Sequence, residues 1–301
     1  MIRLIGTMLA AVLPLATPAA AQPARDDFGV LVMAHGGGQA WNGQVEAMLE
    51  PVRRDHNLEI AFGMASPDTI QAAVQRLEQR GARRIAVVRL FISGESWRER
   101  TEQILGIRPG APPRPQGGTH AGQGGGHGGH NMSLWRIESS ARFALSNEGL
   151  MNAPELGAVL VERVRPLSRD PRRETVLVLA HGPEDDGENE RWIREIDARA
   201  QALRSHAPFR RVVVETLRED WPERRAASEA RIRALAAEAA RDDGQLIVLP
   251  YRVAGFGPYA RVLEGIPYTA DRQGLLPSPQ VEQWVRRQAE ALRPTLTASA
   301  N

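Results

Sequence analysis

The stretch FGVLVMAHG, from Phe28 to Gly36, is a continuous apolar run that ends in Ala-His-Gly. A second stretch, TVLVLAHG from Thr175 to Gly182, has the same ending. A continuous apolar run bounded by turn residues is typical of a strand that is buried on both faces, as in a parallel sheet. The repetition predicts two similar halves, each beginning with such a strand.

Helices and strands alternate after the first of these runs. Further strands are predicted over residues 58–64 and 85–92. The helix between them should begin with Ser66 as N-cap and Pro67 at the first helical position. Pro51 should kink or shorten the helix that precedes the second strand, because proline donates no backbone hydrogen bond.

The second half repeats this order of elements. Apolar spacing predicts helices around residues 193–203, 232–239 and 281–292, with strands at 212–217 and 246–249. Strands that alternate with helices favour crossover connections and a parallel sheet. We therefore predict an α/β fold with two flavodoxin-like domains, each a parallel sheet flanked by helices, related as an internal repeat.

Changes in composition along the chain suggest the boundaries of the two halves. We predict a first half over residues 22–106, a connector over 107–147 and a second half over 148–301. The connector contains a stretch made almost entirely of Gly, Pro, His and polar residues. Such a stretch buries too little apolar surface to order itself, which predicts a flexible insert.

Residues 1–21 read as a targeting signal. Arg3 precedes an apolar stretch, and an alanine-rich A-x-A site lies just before Gln22. These are the regions of a secretory signal peptide. The apolar run is too short and too rich in proline for a membrane anchor. We expect a periplasmic or secreted protein that is not an integral membrane protein.

The composition restricts the available chemistry. The chain has 38 basic residues, all of them Arg, and no Cys. The absence of Lys excludes Schiff-base chemistry and a Walker-type phosphate loop, and the absence of Cys excludes thiolate metal sites and disulfides. A metal would have to be held by imidazole and carboxylate. The formal net charge of +2 and the mixed Arg/Glu runs give no sign of a nucleic-acid surface.

Two histidines occupy equivalent places in the two halves. In parallel sheets, ligands bind beyond the carboxyl ends of the strands. His35 and His181 each follow the first strand of their half, and the loops 93–97 and 254–259 are expected at the same edges. The pairing favours a role in ligand binding for at least one of the two histidines.

The sequence also resembles a known family of proteins. The segment VLVMAHG, the helix opened by Ser66-Pro67 and the segment GARRIAVVRLF from Gly81 to Phe91 resemble the sirohydrochlorin chelatases of the CbiX and SirB type, the class II chelatases. The resemblance covers most of residues 28–104 and 174–292. It implies a lyase that inserts a divalent metal (cobalt, nickel or iron) into a tetrapyrrole, with the metal as a substrate and no organic cofactor.

The resemblance also implies site residues. The family uses a His after the first strand, which is His35 here, and a second His in the loop after the third strand. Trp97 stands where that second His would be, and the loop 254–258 also lacks it. Some members add a Glu after the second strand, and none is found near Gly63 and Met64.

The polar and aromatic residues that are present near the predicted site suggest roles in binding the metal and the substrate. His35 could hold the metal or take a proton, with His181 as its counterpart in the second half. Glu95 could accept the second proton or complete the coordination, or it could simply be a solvated loop residue. Trp97 could stack on a flat macrocycle, or it could cover the core. Arg98 could pair with acid side chains of the substrate, and Tyr259 is a further candidate for substrate binding.

Other classes of function stay open. The main alternative is an exported, non-catalytic carrier that binds a tetrapyrrole or a metal and has a degenerate chelatase site. The string His35-Gly36-Gly37-Gly38 also occurs in esterase oxyanion holes, but the nucleophile motif G-x-S-x-G is absent because position 98 is Arg. A histidine phosphatase would have Arg in place of Ala before the His. A monomer and a homodimer are both compatible with the sequence.

The insert carries three histidines that suggest a separate metal site. His120, His127 and His130 lie in its Gly-rich part and could wrap a transition metal without a preformed geometry. We hypothesise that the insert captures the metal and passes it toward His35. The alternative is that these histidines are incidental.

Titration of Ni²⁺ or Co²⁺ tests the hypothesis about the insert. We expect the full-length protein to bind more metal per chain than a variant that lacks residues 118–130, because three imidazoles are removed. Equal stoichiometry in the two proteins, measured by calorimetry, would show that the histidines of the insert are incidental.

Overall fold

The computed structural model describes residues 26–115, 133–241 and 243–298. Within them the chain forms two four-stranded sheets, and every strand pair in both sheets is parallel. Helices flank both sheets. The predicted α/β fold with two similar halves is confirmed.

The first sheet has the strand order β2-β1-β3-β4. Its elements, in chain order, are β1 (Phe28–Ala34), α1 (Gln39–Asp55), β2 (Asn57–Phe62), α2 (Pro67–Gln79), β3 (Arg84–Leu90), α3 (Arg98–Ile104) and β4 (Arg142–Leu145). Helix α2 begins as predicted, with Ser66 at the N-cap, although its side chain makes no capping hydrogen bond.

Helix α1 runs through Pro51 to Asp55, so the predicted shortening is wrong. Pro51 and Ala47 both lie on the exposed face of the helix. Water can therefore bind the Ala47 carbonyl group that lacks the usual hydrogen bond from residue 51.

The second sheet has the order β6-β5-β7-β8. The second set of elements is α4 (Leu156–Val164), β5 (Glu174–Ala180), α5 (Asp186–His206), β6 (Arg211–Thr216), α6 (Pro222–Ala239), β7 (Gln245–Tyr251), α7 (Tyr259–Val262), β8 (Thr269–Ala270) and α8 (Pro279–Ala298). The first three strands of each sheet thus have the same order and direction, which is the internal repeat that the two apolar runs indicate.

A single apolar core joins the inner faces of both sheets. Val32 of β1 and Val178 of β5 belong to this shared core, whereas their neighbours Leu31 and Leu177 pack on the outer faces. Successive side chains of a strand point to opposite faces, so a strand with layers on both sides must be apolar throughout. This explains the two continuous runs in the sequence.

Helices α4 and α8 are exchanged between the halves. Helix α4 follows the first sheet but packs on α5 and β7 of the second, and α8 follows the second sheet but packs on β3 and β4 of the first. The predicted boundaries at 107–147 and 148–301 therefore differ from the structure, because the connector contains strand β4 and the second segment contains a helix of the first sheet.

Polar contacts fix the exchanged helices in place. Arg163 of α4 donates to the Gly274 and Pro277 carbonyl oxygens at 2.9 and 2.6 Å, just before α8 begins. The indole of the fully buried Trp284 in α8 donates to Glu148 at 2.8 Å, and Arg287 forms ion pairs with Glu148 and with Glu155, the residue just before α4. Among the described helices, none has the length and hydropathy needed to span a membrane.

The contact between α1 and α8 contains a histidine with an altered pKa. His56 ends α1, its side chain is 10% exposed, and its Nε2 lies 3.6 Å from Glu290 of α8. Burial lowers the pKa of His56; Glu290 and Asp55 oppose the shift, and Arg286 and Arg293 add to it. The folded protein therefore prefers the neutral ring more strongly than the unfolded chain does.

We expect this preference to make stability depend on pH. Neutral His56 is compatible with the fold above the ordinary histidine pKa of about 6.5, and protonation favours unfolding as the pH falls from that value toward the lowered pKa. His56→Asn should therefore lose less stability on acidification than the natural chain, measured by urea unfolding at several pH values. His206→Asn, at an exposed position, is the matched control. An identical pH dependence of the natural chain and His56→Asn would contradict this account.

Candidate functional site

The two paired histidines lie at the places where parallel sheets bind ligands. His35 follows β1, which lies between β2 and β3, and His181 follows β5, which lies between β6 and β7. In each sheet the connection after the first strand goes to one side and the connection after the third strand goes to the other, which opens a crevice between the carboxyl ends of these two strands. His35 and His181 therefore lie beside the crevices of their sheets, at the predicted ends of the strands.

Both imidazole rings are held in the same way. The Nδ1 atom of His35 lies 2.8 Å from the Gly36 carbonyl oxygen, and that of His181 lies 2.7 Å from the Gly182 carbonyl oxygen. Because a carbonyl group only accepts hydrogen bonds, Nδ1 is the donor in each ring. Nε2 is then the atom presented to a ligand, which is a common arrangement for metal-binding histidines.

The backbone conformation at Gly182, in the second Ala-His-Gly segment, requires a glycine. Gly182 has a φ of +83°, a conformation that side chains rarely adopt. A Cβ atom there would lie 2.7 Å from the Cβ atom of Thr216 and 3.0 Å from Cγ of Arg218. The chain can turn sharply after His181 only because no side chain follows.

The surroundings of the two histidines differ. His35 is exposed, and its carbonyl oxygen accepts a hydrogen bond of 3.0 Å from the Trp41 indole. His181 is partly buried, and its Nε2 lies 2.7 Å from a carboxylate oxygen of Asp220. The edge of one ring faces the other in the pair of His181 and Trp221, whose centroids are 5.8 Å apart.

His181 lies in an open cleft of about 630 Å³. The second half provides most of the wall, including Trp192, Trp221 and Arg224, and the first half contributes Ser96. This volume and the two indoles suit an organic ligand with a flat apolar surface. The cleft is thus a surface of both halves.

Arg218 supports the wall beside His181. Its side chain is buried and donates to the Pro183 carbonyl oxygen at 2.9 Å, to Asp186 at 2.5 Å and to the Glu184 carbonyl oxygen. Its own backbone N–H donates to the His181 carbonyl oxygen. One buried guanidinium group therefore joins the loop after β5 to the loop after β6, which carries Asp220.

Arg89 supports the opposite wall. It is 1% exposed, and its guanidinium group donates to the carbonyl oxygens of Ser96 at 2.9 Å and Ser146 at 2.7 Å. Burial lowers its pKa to about 10. Glu95 in this loop is exposed and faces α5, with 3.8 Å between its carboxylate and Arg191.

The other predicted substrate-binding residues have mainly structural contacts. Trp97 has a φ of +57°, caps α3 and packs against the outer core of the first half. Arg98 forms an ion pair with Glu102 at 2.9 Å and also donates to Asn147. Tyr259 is fully buried under the loop after β7, edge-on to Phe256 at 5.7 Å. In this conformation Tyr259 presents no surface to a substrate.

The three histidines predicted to bind metal in the insert, His120, His127 and His130, lie outside the described residues. The two roots of the insert are described and lie side by side, since Arg136 donates to the Pro112 carbonyl oxygen at 2.7 Å. Within the described ranges no group of three or more His, Asp or Glu side chains is arranged to hold a metal ion.

Several residues of the cleft were not predicted from the sequence. Asp220 and Trp221 follow strand β6, and Arg218 precedes them in the same loop. The resemblance implies an acidic residue after the second strand, and none lies near Gly63 in the first half. In the second half the corresponding loop does carry carboxylates, within the segment Arg218–Trp221, and this is the signal in the sequence that points to them.

The two halves, their sheet order and the crevice histidines define a chelatase-like α/β fold. No protein-family model matches the chain, and a search of curated proteins also found no match. Solved structures do match. SirB from Bacillus subtilis with Fe³⁺ has a TM-score of 0.59 and 15% identity, and the match covers 90% of this chain and 96% of that one.

Two further structures agree. CbiX, named as the terminal enzyme of siroheme biosynthesis in denitrifying bacteria, has a TM-score of 0.52 and 18% identity, over 87% of this chain and 98% of that one. DR2241 from Deinococcus radiodurans, described as a multi-domain protein with structural similarity to chelatases, has the same TM-score and identity over 87% of this chain and 54% of its own. The resemblance noted in the sequence is thus confirmed as a similarity of fold.

Proposed function

We propose that this protein is a chelatase that inserts a divalent metal into a tetrapyrrole, and that its working site is the cleft of the second half. The observation that supports this most directly is the pair of His181 and Asp220, 2.7 Å apart in an open cleft lined by two indoles. The similarity of fold to the sirohydrochlorin chelatases supports the reaction class.

The chemistry of the pair suits metal transfer. The hydrogen bond between Nδ1 and the Gly182 carbonyl oxygen fixes the ring with Nε2 beside the Asp220 carboxylate. A cobalt, nickel or iron ion could be held between Nε2 and the Asp220 carboxylate, since imidazole and carboxylate are suitable ligands for these metals. Once the ion has passed to the macrocycle, the imidazole–carboxylate pair could accept one of the two pyrrole protons that leave, and the second would pass to water in the open cleft.

The cleft also offers contacts for the macrocycle. Trp221, which is partly exposed, lines the cleft on the side of the second half, and an indole face can stack on a flat conjugated ring. Arg224 lies at the rim, 3.1 Å from Asp186, and its guanidinium group is half exposed. We propose that it pairs with an acid side chain of the substrate.

A carrier without turnover is the second candidate. It is favoured by the donor set, because no third His, Asp or Glu completes a metal site within the described ranges. Such a protein would bind the tetrapyrrole or its metal complex in the same cleft but would not catalyse the insertion.

The two candidates differ in one assay. With sirohydrochlorin and Co²⁺, Ni²⁺ or Fe²⁺, we expect the absorbance change of the metallated product at a rate well above the reaction without protein. His181→Ala should slow this by about 100-fold or more, as loss of a proton acceptor commonly does. His206→Ala, an exposed histidine at the end of α5, is the matched control.

The outcomes separate the candidates. Binding of sirohydrochlorin without an accelerated absorbance change would support the carrier and exclude the chelatase. A greater loss in His35→Ala than in His181→Ala would place the working site in the first half and contradict the proposal for the second. If both variants keep their activity and their binding, the paired histidines have no role in the function.

We also propose that the protein acts outside the cytoplasm. The support is the sequence of residues 1–21, which lie outside the described ranges. Expression of the full chain in a Gram-negative host should give a periplasmic protein whose mass corresponds to a chain beginning at Gln22. Replacement of the apolar stretch by polar residues should leave the uncleaved chain in the cytoplasm. An uncleaved cytoplasmic protein from the natural sequence would contradict export.

A further inference from the structure

A second carboxylate lies beside His181 but is bound to another group. Glu219 precedes Asp220, and its Oε1 atom lies 4.0 Å from His181 Nε2. The same oxygen accepts a hydrogen bond of 2.6 Å from Arg252. The other oxygen, Oε2, is buried and has no hydrogen-bond partner within the described part of the chain. Glu219 is thus close to the metal-binding pair without belonging to it.

Arg252 is held firmly in its place after strand β7. Its guanidinium carbon lies 5.7 Å from the centroid of the buried Tyr259 ring. Gly257, with a φ of +60°, lies so close that a Cβ atom there would come within 2.9 Å of the guanidinium group. Arg252 therefore fixes Glu219 from a rigid position, and the loops after β6 and β7 meet through this ion pair.

We propose that Arg252 is a positioning residue that withholds Glu219 from the metal ion beside His181. The cleft then holds the metal with His181 and Asp220 alone, so the ion is bound weakly enough to be passed to the macrocycle. This inference rests on the proposed function in one respect, namely that the metal binds at His181.

Two physical effects produce the weak binding. A carboxylate that is already hydrogen-bonded to a guanidinium group must break this bond before it can coordinate a metal. The positive charge of Arg252 also repels a divalent cation in a partly buried site, where charges are poorly screened. Removal of the Arg252 guanidinium group frees the Glu219 carboxylate to act as a third metal ligand. A small rotation of the Glu219 side chain can close the distance to the ion.

The test is a titration with Co²⁺ alone, followed by the absorbance of the bound ion. Arg252→Gln should bind Co²⁺ about 10- to 100-fold more tightly than the natural chain, the usual range for changes around metal ligands. Arg252→Lys keeps the positive charge and should retain the weak affinity. The double variant Arg252→Gln, Glu219→Gln should lose the gain, because the added ligand is then absent.

A single variant that leaves Arg252 intact gives an independent measurement. Glu219→Gln in the natural background should weaken Co²⁺ binding only slightly, through the loss of a nearby negative charge, because Glu219 is not a ligand there. A loss as large as that in His181→Ala would show that Glu219 already binds the metal, which would overturn the inference. This arm remains informative if Arg252→Gln fails to fold.

The inference and the proposed function can fail separately. If the natural chain binds Co²⁺ through His181 and Arg252→Gln binds it no more tightly, the inference is wrong and the proposed site stands. If the natural chain binds no Co²⁺ but Arg252→Gln binds it through His181 and Glu219, the withholding role stands and the proposed metal site of the natural protein fails.

Discussion

The inner apolar core between the two sheets determines where the cleft can form. Each sheet has one inner face covered in part by a helix from the other half, α8 on the first sheet and α4 on the second. Neither half can leave its partner without exposing that face to water, which is strongly unfavourable for side chains as apolar as Val32 and Val178. The loop that carries Ser96 is consequently fixed relative to His181, although the two belong to different sheets. The site is a property of the pair of halves, because the exchanged helices make the pair one packed unit.

Buried and partly buried arginines then give the loops around this cleft their shape. Arg89 and Arg218 bind backbone carbonyl groups of opposite walls, and Arg252 binds the carboxylate of Glu219. A buried charge costs free energy unless its hydrogen-bonding groups are satisfied, and guanidinium offers five donors in a rigid plane, which can span several acceptors at once. In a chain without Lys, every buried cation has this geometry. The arginines of the chain thus include a small set that organises the loops at the carboxyl ends of the strands.

The central strands were predictable because burial on both faces demands a continuous apolar run, and β1 and β5 show it. The fourth strand of each sheet was not, since β4 has only four residues and β8 only two, too few for a periodic signal. The exchange of α4 and α8 was also invisible, because an amphipathic helix specifies that one face is covered but not by which sheet. At the site, the repeated Ala-His-Gly located His181 correctly, whereas the burial of Tyr259 depends on how the loop after β7 folds back, which its sequence position does not reveal.

The two Ala-His-Gly segments show how one fold supports two different environments. Their rings have the same Nδ1 hydrogen bond, so the strand and its turn do not distinguish them. The difference comes from the loop after the neighbouring strand. In the first half this loop begins with Gly63 and Met64 and offers His35 no carboxylate, while in the second half it supplies Asp220 to the ring and Glu219 to Arg252. A ring without a carboxylate partner has less to stabilise a bound cation. The first half therefore contributes to the cleft mainly as a wall, and under the proposed function metal binding would take place where the second half adds its acidic loop.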